Sequence, residues 1–243
     1  MPTCSRRTLL KYWLPTYALL ATQGTRALQR DASAPAGETL PHASASPDLL
    51  GRAHALLTRL PAADLTPFLS EWPQGSEQRG VSPSTVPVLR WLPSIQKSAP
   101  AFSRPFVDAL VAAAASLAWQ RSYSPALVGT PFYDNYGWTE LAGLSGPTPS
   151  EHLACGLLLL GSGITYPSHR HEADEIYVPL AGTAEWKHGD DEWRERPPGS
   201  VIHHGSVEPH AMRTGPAPML ALYLWRSANL AQKSQLDDAG ISR

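Results

Sequence analysis

Cysteine is nearly absent: Cys4 and Cys155 are the only two in 243 residues. They lie far apart, and Cys4 falls in a segment with the look of a removable leader, so no structural disulfide is expected. Cys155 reads as a small buried strand residue. A surplus of charge of either sign is also missing. Twenty Lys and Arg stand against 21 Asp and Glu, for a net charge of −1. Without a basic excess, nucleic acid is not an expected partner. No apolar run is long enough for a stable membrane span. There is no Walker loop, no G-x-S-x-G elbow, no zinc-finger spacing and no repeat of solenoid period.

Turn formers, by contrast, are plentiful, with 24 Pro and 18 Gly. That suits a chain of short strands joined by many turns. The first residues, MPTCSRRTLLKYWLPTYALL, hold Ser5-Arg6-Arg7-Thr8-Leu9-Leu10-Lys11 ahead of a modestly apolar stretch, with the small residues Thr25 and Ala27 beyond it. This resembles a twin-arginine export signal over residues 1–27, and favours a periplasmic over a cytoplasmic location. The alternative is a basic N-terminus without an address. Residues 28–47 are rich in Ala, Ser and Pro and read as a linker.

A helical region is expected over 48–122. Ser46 or Asp48 caps a first helix whose Leu49, Leu50, Ala53, Leu56, Leu57 and Leu60 recur at helical spacing. A second short helix is expected near Ala63 to Trp72, and another from about Arg104 to Arg121 through VDALVAAAASLAWQR. From Tyr123 the character changes. Short apolar stretches bounded by Gly and Pro fall at 133–142, 152–160, 175–180, 183–188, 200–204, 208–213 and 218–225, the signature of a β-sandwich or barrel over 123–230. The tail, 231–243, reads as solvated.

Chemistry concentrates in GITYPSHRHEADEIYVPLAG, residues 163–182. Side chains two apart share a face of a strand, so His169 and His171 point one way, as do Glu175 and Tyr177 on the next strand. A turn through Glu172, Ala173 and Asp174 brings the pairs together. Two imidazoles and a carboxylate suit a divalent first-row metal, and His210, on a returning strand, is the best fourth ligand. His203 and His204 fall outside this spacing, one of them near the ligands or simply exposed. His152 and His188 read as surface residues.

Gly163-x5-His169-x-His171-x3-Glu175-x6-Gly182 resembles the first cupin motif at every position. Gly199 and His210 hold their places in the second, while Gly205, Val207 and Thr214 replace its usual Pro, Gly and Asn. The resemblance implies a mainly β fold: a single cupin β-barrel, or jelly-roll-like double-stranded β-helix, behind an α-helical region. Cupins often pair through their sheets, so a homodimer is one alternative for an oligomeric state that the sequence leaves open.

A finer likeness lies in Tyr166-Pro167-x-His169-x-His171-x3-Glu175-x-Tyr177, in LAGTAEW, in PHAMRTGPAPMLALYLW and in NYGWTELAG at 135–143. These resemble the cupin-type dimethylsulfoniopropionate lyases, sharply over about residues 133–226. That family's reaction is a β-elimination that releases dimethyl sulfide and acrylate. The resemblance implies one divalent transition metal (Fe, Zn, Mn, Ni or Co) on His169, His171, Glu175 and His210. It implies Tyr166 as base, with Tyr177 as substrate contact, metal ligand or the base instead, and Tyr223 on the last strand as a third candidate. The substrate, a small zwitterion, carries a sulfonium cation that aromatic faces attract. Tyr136, Tyr177, Trp186 and Tyr223 are the expected contacts, with Trp138 and Trp225 as further walls. The same ligand set suits an Fe(II) cupin dioxygenase, a lyase-like paralogue acting on another small carboxylate, or a non-enzymatic metal- or ligand-binding cupin.

Overall fold

The computed structural model describes residues 48–74 and 77–237. The export signal and linker expected over residues 1–47 lie outside the described residues.

Helix α1, Leu49–Leu57, opens where the sequence places it: the Asp48 carboxylate accepts from the Gly51 N–H at 2.8 Å, satisfying one of the free donors of the first turn. Leu49, Ala53, Leu56 and Leu57 are its buried stripe. The second expected helix is a 3-10 turn, Ala63–Leu65, running into α2, Thr66–Ser70. A third helix, α3 (Leu92–Ser98), follows a 3-10 turn over Pro87–Trp91. Helix α4 spans only Arg104–Ala113, shorter than the expected run to Arg121. A better offer ends it: the Gln120 N–H and C=O exchange hydrogen bonds with Trp138 at 2.7 and 3.0 Å, and the Trp119 indole buries itself while donating to the Ala114 carbonyl at 3.1 Å. Tertiary pairing overrides helix propensity here. Two further short helices, α5 (Pro125–Val128) and α6 (Thr130–Tyr133), precede the strands.

The strands are β1 Tyr136–Gly143, β2 Thr148–Pro149, β3 Leu153–Leu160, β4 Thr165–Arg170, β5 Asp174–Ala181, β6 Ala184–His188, β7 Arg194–Arg196, β8 Ile202–His204, β9 His210–Thr214, β10 Met219–Arg226 and β11 Gln235–Leu236. They form two sheets, ordered β2-β1-β3-β10-β5-β8 and β11-β4-β9-β6-β7. This is the jelly-roll-like cupin architecture that the motif spacing implies.

Three layers follow from the burial pattern. Along β3, Leu153, Cys155, Leu157 and Leu159 join one apolar cluster with α1, α3 and α4, whereas Ala154, Leu158 and Leu160 join a second cluster between the sheets. All eight β3 residues are buried. A strand covered on both faces needs no polar alternation, which explains the run LACGLLLL. β5 and β10 alternate likewise: Ile176, Val178, Leu220 and Leu222 face the helices, and Tyr177, Ala221 and Tyr223 face the opposite sheet. Burying each such Leu is worth about 1.5–3 kcal/mol.

Residues 231–237 are exposed or half-buried, yet part of this tail joins a sheet. Gln235 and Leu236 pair with Arg170 and His169 at the edge of the second sheet. Asp237 anchors this strand, accepting from the Ser168 hydroxyl at 2.7 Å and pairing with Arg170 at 2.5 Å. Residues 238–243 lie outside the described residues.

Candidate metal centre and its tyrosines

His169, His171, Glu175 and His210 converge between the sheets, their ligand atoms within 4.8 Å of one another and all four side chains buried. β4 and β9 set the two histidines His169 and His210 directly opposite each other. Glu175 comes from the facing sheet, through β5.

A local irregularity explains how Tyr166 joins them. Residues three apart on a regular strand point to opposite faces. The β4–β9 register shifts between Tyr166 and His169, where Pro167 has no N–H to give the ladder. The shift puts both side chains on the inner face. Their rings stack, with centroids 4.2 Å apart and planes 12° from parallel.

The second ring nitrogens of the histidines are committed. Nδ1 of His169, His171 and His210 lies 2.9, 3.0 and 2.9 Å from the carbonyls of Pro167, Ala173 and Glu208. A carbonyl only accepts, so each Nδ1 donates, and the neutral ring carries its lone pair on Nε2. Yet Nε2 of His171 and of His210 lie 2.9 and 3.0 Å from Glu175 Oε2. Lone pair faces lone pair there unless positive charge, a proton or a metal ion, is shared between them. This arrangement fits a divalent metal, with the carbonyls orienting the ligands as metal-binding histidines commonly require.

The site's electrostatics agree. Burial disfavours the charged form of His171, but the Glu175 carboxylate and the Ala173 carbonyl outweigh it and raise its pKa. Burial also opposes the Glu175 anion, but His171 and His210 hold its pKa well below the usual carboxylate range. His169 is held well below its ordinary value by burial and by His210, which favours the neutral imidazole that metal binding requires.

Glu175 Oε1 has its own donor: the Trp225 indole N–H, at 2.6 Å. Trp225 lies opposite Glu175 in the β10–β5 register, and its ring packs on His171 at 4.2 Å. Trp225, named as a further wall, thus also holds the Glu175 carboxylate in place.

Tyrosines line the interior beside this group. The Tyr166 hydroxyl lies 3.0 Å from that of Tyr123 and 3.5 Å from that of Tyr136. Tyr123 in turn donates to Ser234 at 3.3 Å, and Tyr136 meets Ser122 at 3.0 Å. Phe132 stacks on Tyr136 at 4.9 Å. Tyr177 projects from β5 two residues past Glu175, with Trp186 6.2 Å away. The Trp186 indole N–H is buried and has no partner among the described residues. Tyr223 lies opposite Tyr177 and edge-on to Trp138 and Trp225. Burial raises the pKa of Tyr166, Tyr177 and Tyr223 well above 10, and it likewise raises those of Tyr136 and Tyr123.

The site residues read from the sequence thus all reach one interior. Several participants lacked a signal. Tyr123 and Ser234 sit in irregular segments where no periodicity announces them. His204 is buried and stacks on His210, with centroids 4.0 Å apart. Its outward neighbour His203 is exposed and packs against Phe68. Alternation along β8, with Ile202 inward, was the available clue. His188, expected at the surface, is half-buried against His204, with centroids 4.3 Å apart.

Comparison with known proteins points to one family. A family model described as dimethylsulfoniopropionate lyase matches residues 67–221. Dimethylsulfoniopropionate lyase DddQ of Ruegeria pomeroyi is 35% identical over 182 residues, covering 74% of this chain and 88% of that protein. The crystal structure of that DddQ superposes with a TM-score of 0.70 at 31% identity, covering 81% of this chain and 97% of the other. A chain from the crystal structures of the DMSP lyases RdDddP and RnDddQII gives a TM-score of 0.73 at 32% identity, covering 79% and 96%. With more than half of its length matched by the family model and 74% of it covered by a relative 35% identical to it, the chain belongs to the dimethylsulfoniopropionate lyase family, a family of carbon–sulfur lyases.

Proposed function

We propose that this protein cleaves dimethylsulfoniopropionate into dimethyl sulfide and acrylate. The observation that carries the reading is Tyr166: a phenol stacked on His169, beside a carboxylate-and-imidazole group built for a cation, and hydrogen-bonded to two more phenols.

The reaction removes a proton from the carbon next to the carboxylate and expels the sulfonium sulfur from the next carbon. The electron pair of the C–H bond becomes the C=C bond of acrylate, and that of the C–S bond leaves on sulfur. Such a proton is weakly acidic because the carboxylate is already negative. A divalent metal held by His169, His171, Glu175 and His210 supplies a Lewis acid for the charge that builds on the substrate carboxylate. The ligand set accepts Fe, Zn, Mn, Ni or Co.

Tyr166 is the base. Burial alone keeps it protonated, and a cation in the adjacent site acts in the opposite direction. The Tyr123 and Tyr136 hydroxyls hold its oxygen in place. After proton transfer, the Tyr123–Ser234 chain leads from the buried phenol to half-buried groups near the surface, and so provides a way out for the proton. Tyr177, Tyr223 and Trp186 present aromatic faces to the sulfonium cation, which offers no hydrogen-bond donor. Tyr136 supports Tyr166 and belongs to the phenol network more than to a sulfonium wall.

Headspace gas chromatography of metal-loaded protein with dimethylsulfoniopropionate tests the proposal. Dimethyl sulfide with equimolar acrylate is expected, lost on chelation and lost in Tyr166→Phe with metal still bound. Release of neither product by protein shown to hold metal refutes it.

A further inference from the structure

A second group of metal-ligating side chains lies beside the first and shares none of its members. His188, His204 and Glu208 bring one ligand atom each to within 4.8 Å of one another. The sheets place them as neighbours of the first group: His204 on β8 is the cross-strand partner of Glu175, and His188 on β6 that of His210. Each is thus one strand over from a ligand already described, and the two strands come from opposite sheets. Glu208 comes from the turn before β9. Its Oε2 accepts from the Gly205 N–H at 2.7 Å, which fixes the carboxylate, and its Oε1 lies 3.3 Å from His188 Nδ1.

His204 separates this group from an ordinary surface ion pair. Its side chain is fully buried, and neither ring nitrogen has a partner among the described residues. Buried polar atoms are nearly always satisfied, and an imidazole with two orphaned nitrogens calls for an absent partner. The ring cannot turn outward to find one, because it is stacked on His210 on one side and packed against His188 on the other. His188 and Glu208 are part-exposed, which leaves a route for an ion.

We propose that His188, His204 and Glu208 form a second divalent transition-metal site. Two imidazoles and a carboxylate match a borderline ion such as zinc or cobalt. With three protein ligands instead of four, and two of them part-exposed, this site is the weaker one and keeps a position for water or an exogenous anion. The inference does not depend on the lyase reading.

Equilibrium dialysis of the full, tag-free, metal-stripped chain against Zn2+, followed by metal counting, tests it. The wild-type chain is expected to take up at least two equivalents, the last more weakly. His188→Ala and Glu208→Gln, both at part-exposed positions, should each bind one equivalent fewer, or bind the weaker one at least about tenfold less tightly. Glu175→Gln should weaken the other equivalent and spare this one. Circular dichroism checks that each variant is folded. Saturation of the wild type at one equivalent overturns the proposal, as does a His188→Ala, Glu208→Gln double variant whose binding curve matches the wild type.

Discussion

Replacing Trp225 by Phe isolates one hydrogen bond at the metal centre. The indole N–H donates to Glu175 Oε1 at 2.6 Å, and the carboxylate is fully buried. Phenylalanine keeps a ring against His171 but has no donor. Water cannot readily take the donor's place at a buried carboxylate. A hydrogen bond to a charged group is worth about 1.5–3 kcal/mol, and each 1.4 kcal/mol is a factor of ten. If the whole loss falls on metal binding, the Kd rises by about 10- to 100-fold, the usual range for removing a ligand's supporting partner. Competition for Zn2+ against a colorimetric chelator, at fixed pH and salt, reads that ratio directly. A folded Trp225→Phe protein whose Kd stays within about twofold of wild type would refute the claim that this bond orients Glu175.

Further outcomes follow from other parts of the structure. Burial raises the Tyr166 pKa, and a base works deprotonated, so kcat/KM should rise with pH through the neutral range, about tenfold per unit below the effective pKa; a flat profile or an acid optimum argues against a phenolate base. Tyr123→Phe removes one partner of the Tyr166 hydroxyl and should lower kcat by roughly tenfold with KM little changed, whereas an equal rise in KM would assign Tyr123 to binding. Val207 sits at φ 61° in the turn where its N–H donates to the His171 carbonyl at 2.8 Å. That backbone is strained for a β-branched side chain, so Val207→Gly should raise Tm by about 1–4 °C. A Cβ at Gly156 would collide with the Thr139 backbone oxygen on β1 and lie 2.5 Å from the Tyr223 ring; Gly156→Ala should therefore cost about 1–3 kcal/mol, seen as a lower Tm, and an unchanged Tm would mean that both β1 and Tyr223 give way freely.

The motif spacing in the sequence was enough to bring His169, His171 and Glu175 to one point, whereas His210 arrives only through the pairing of β9 with β4. His-x-His and Glu-x-Tyr pairs share faces by the two-residue period of a strand, and the intervening turn is short, so local geometry alone brings them together. The chain's cupin architecture was equally legible, because Gly and Pro punctuate apolar stretches of strand length. What local pattern could not carry was everything that depends on a partner distant in the chain. The end of α4 at Ala113 was decided by Gln120 finding Trp138. Strand β11, from a polar tail, exists because β4 offers it an open edge. Tyr166 meets His169 only through the register shift at Pro167. Trp225 reaches Glu175 across 50 residues, and Tyr123 reaches Tyr166 across 43. The orphaned ring of His204 became visible only once two sheets had closed around it. Periodicity follows from backbone geometry and is written residue by residue; burial and hydrogen-bond satisfaction are properties of the packed whole, and those decided which side chains surround the metal centre.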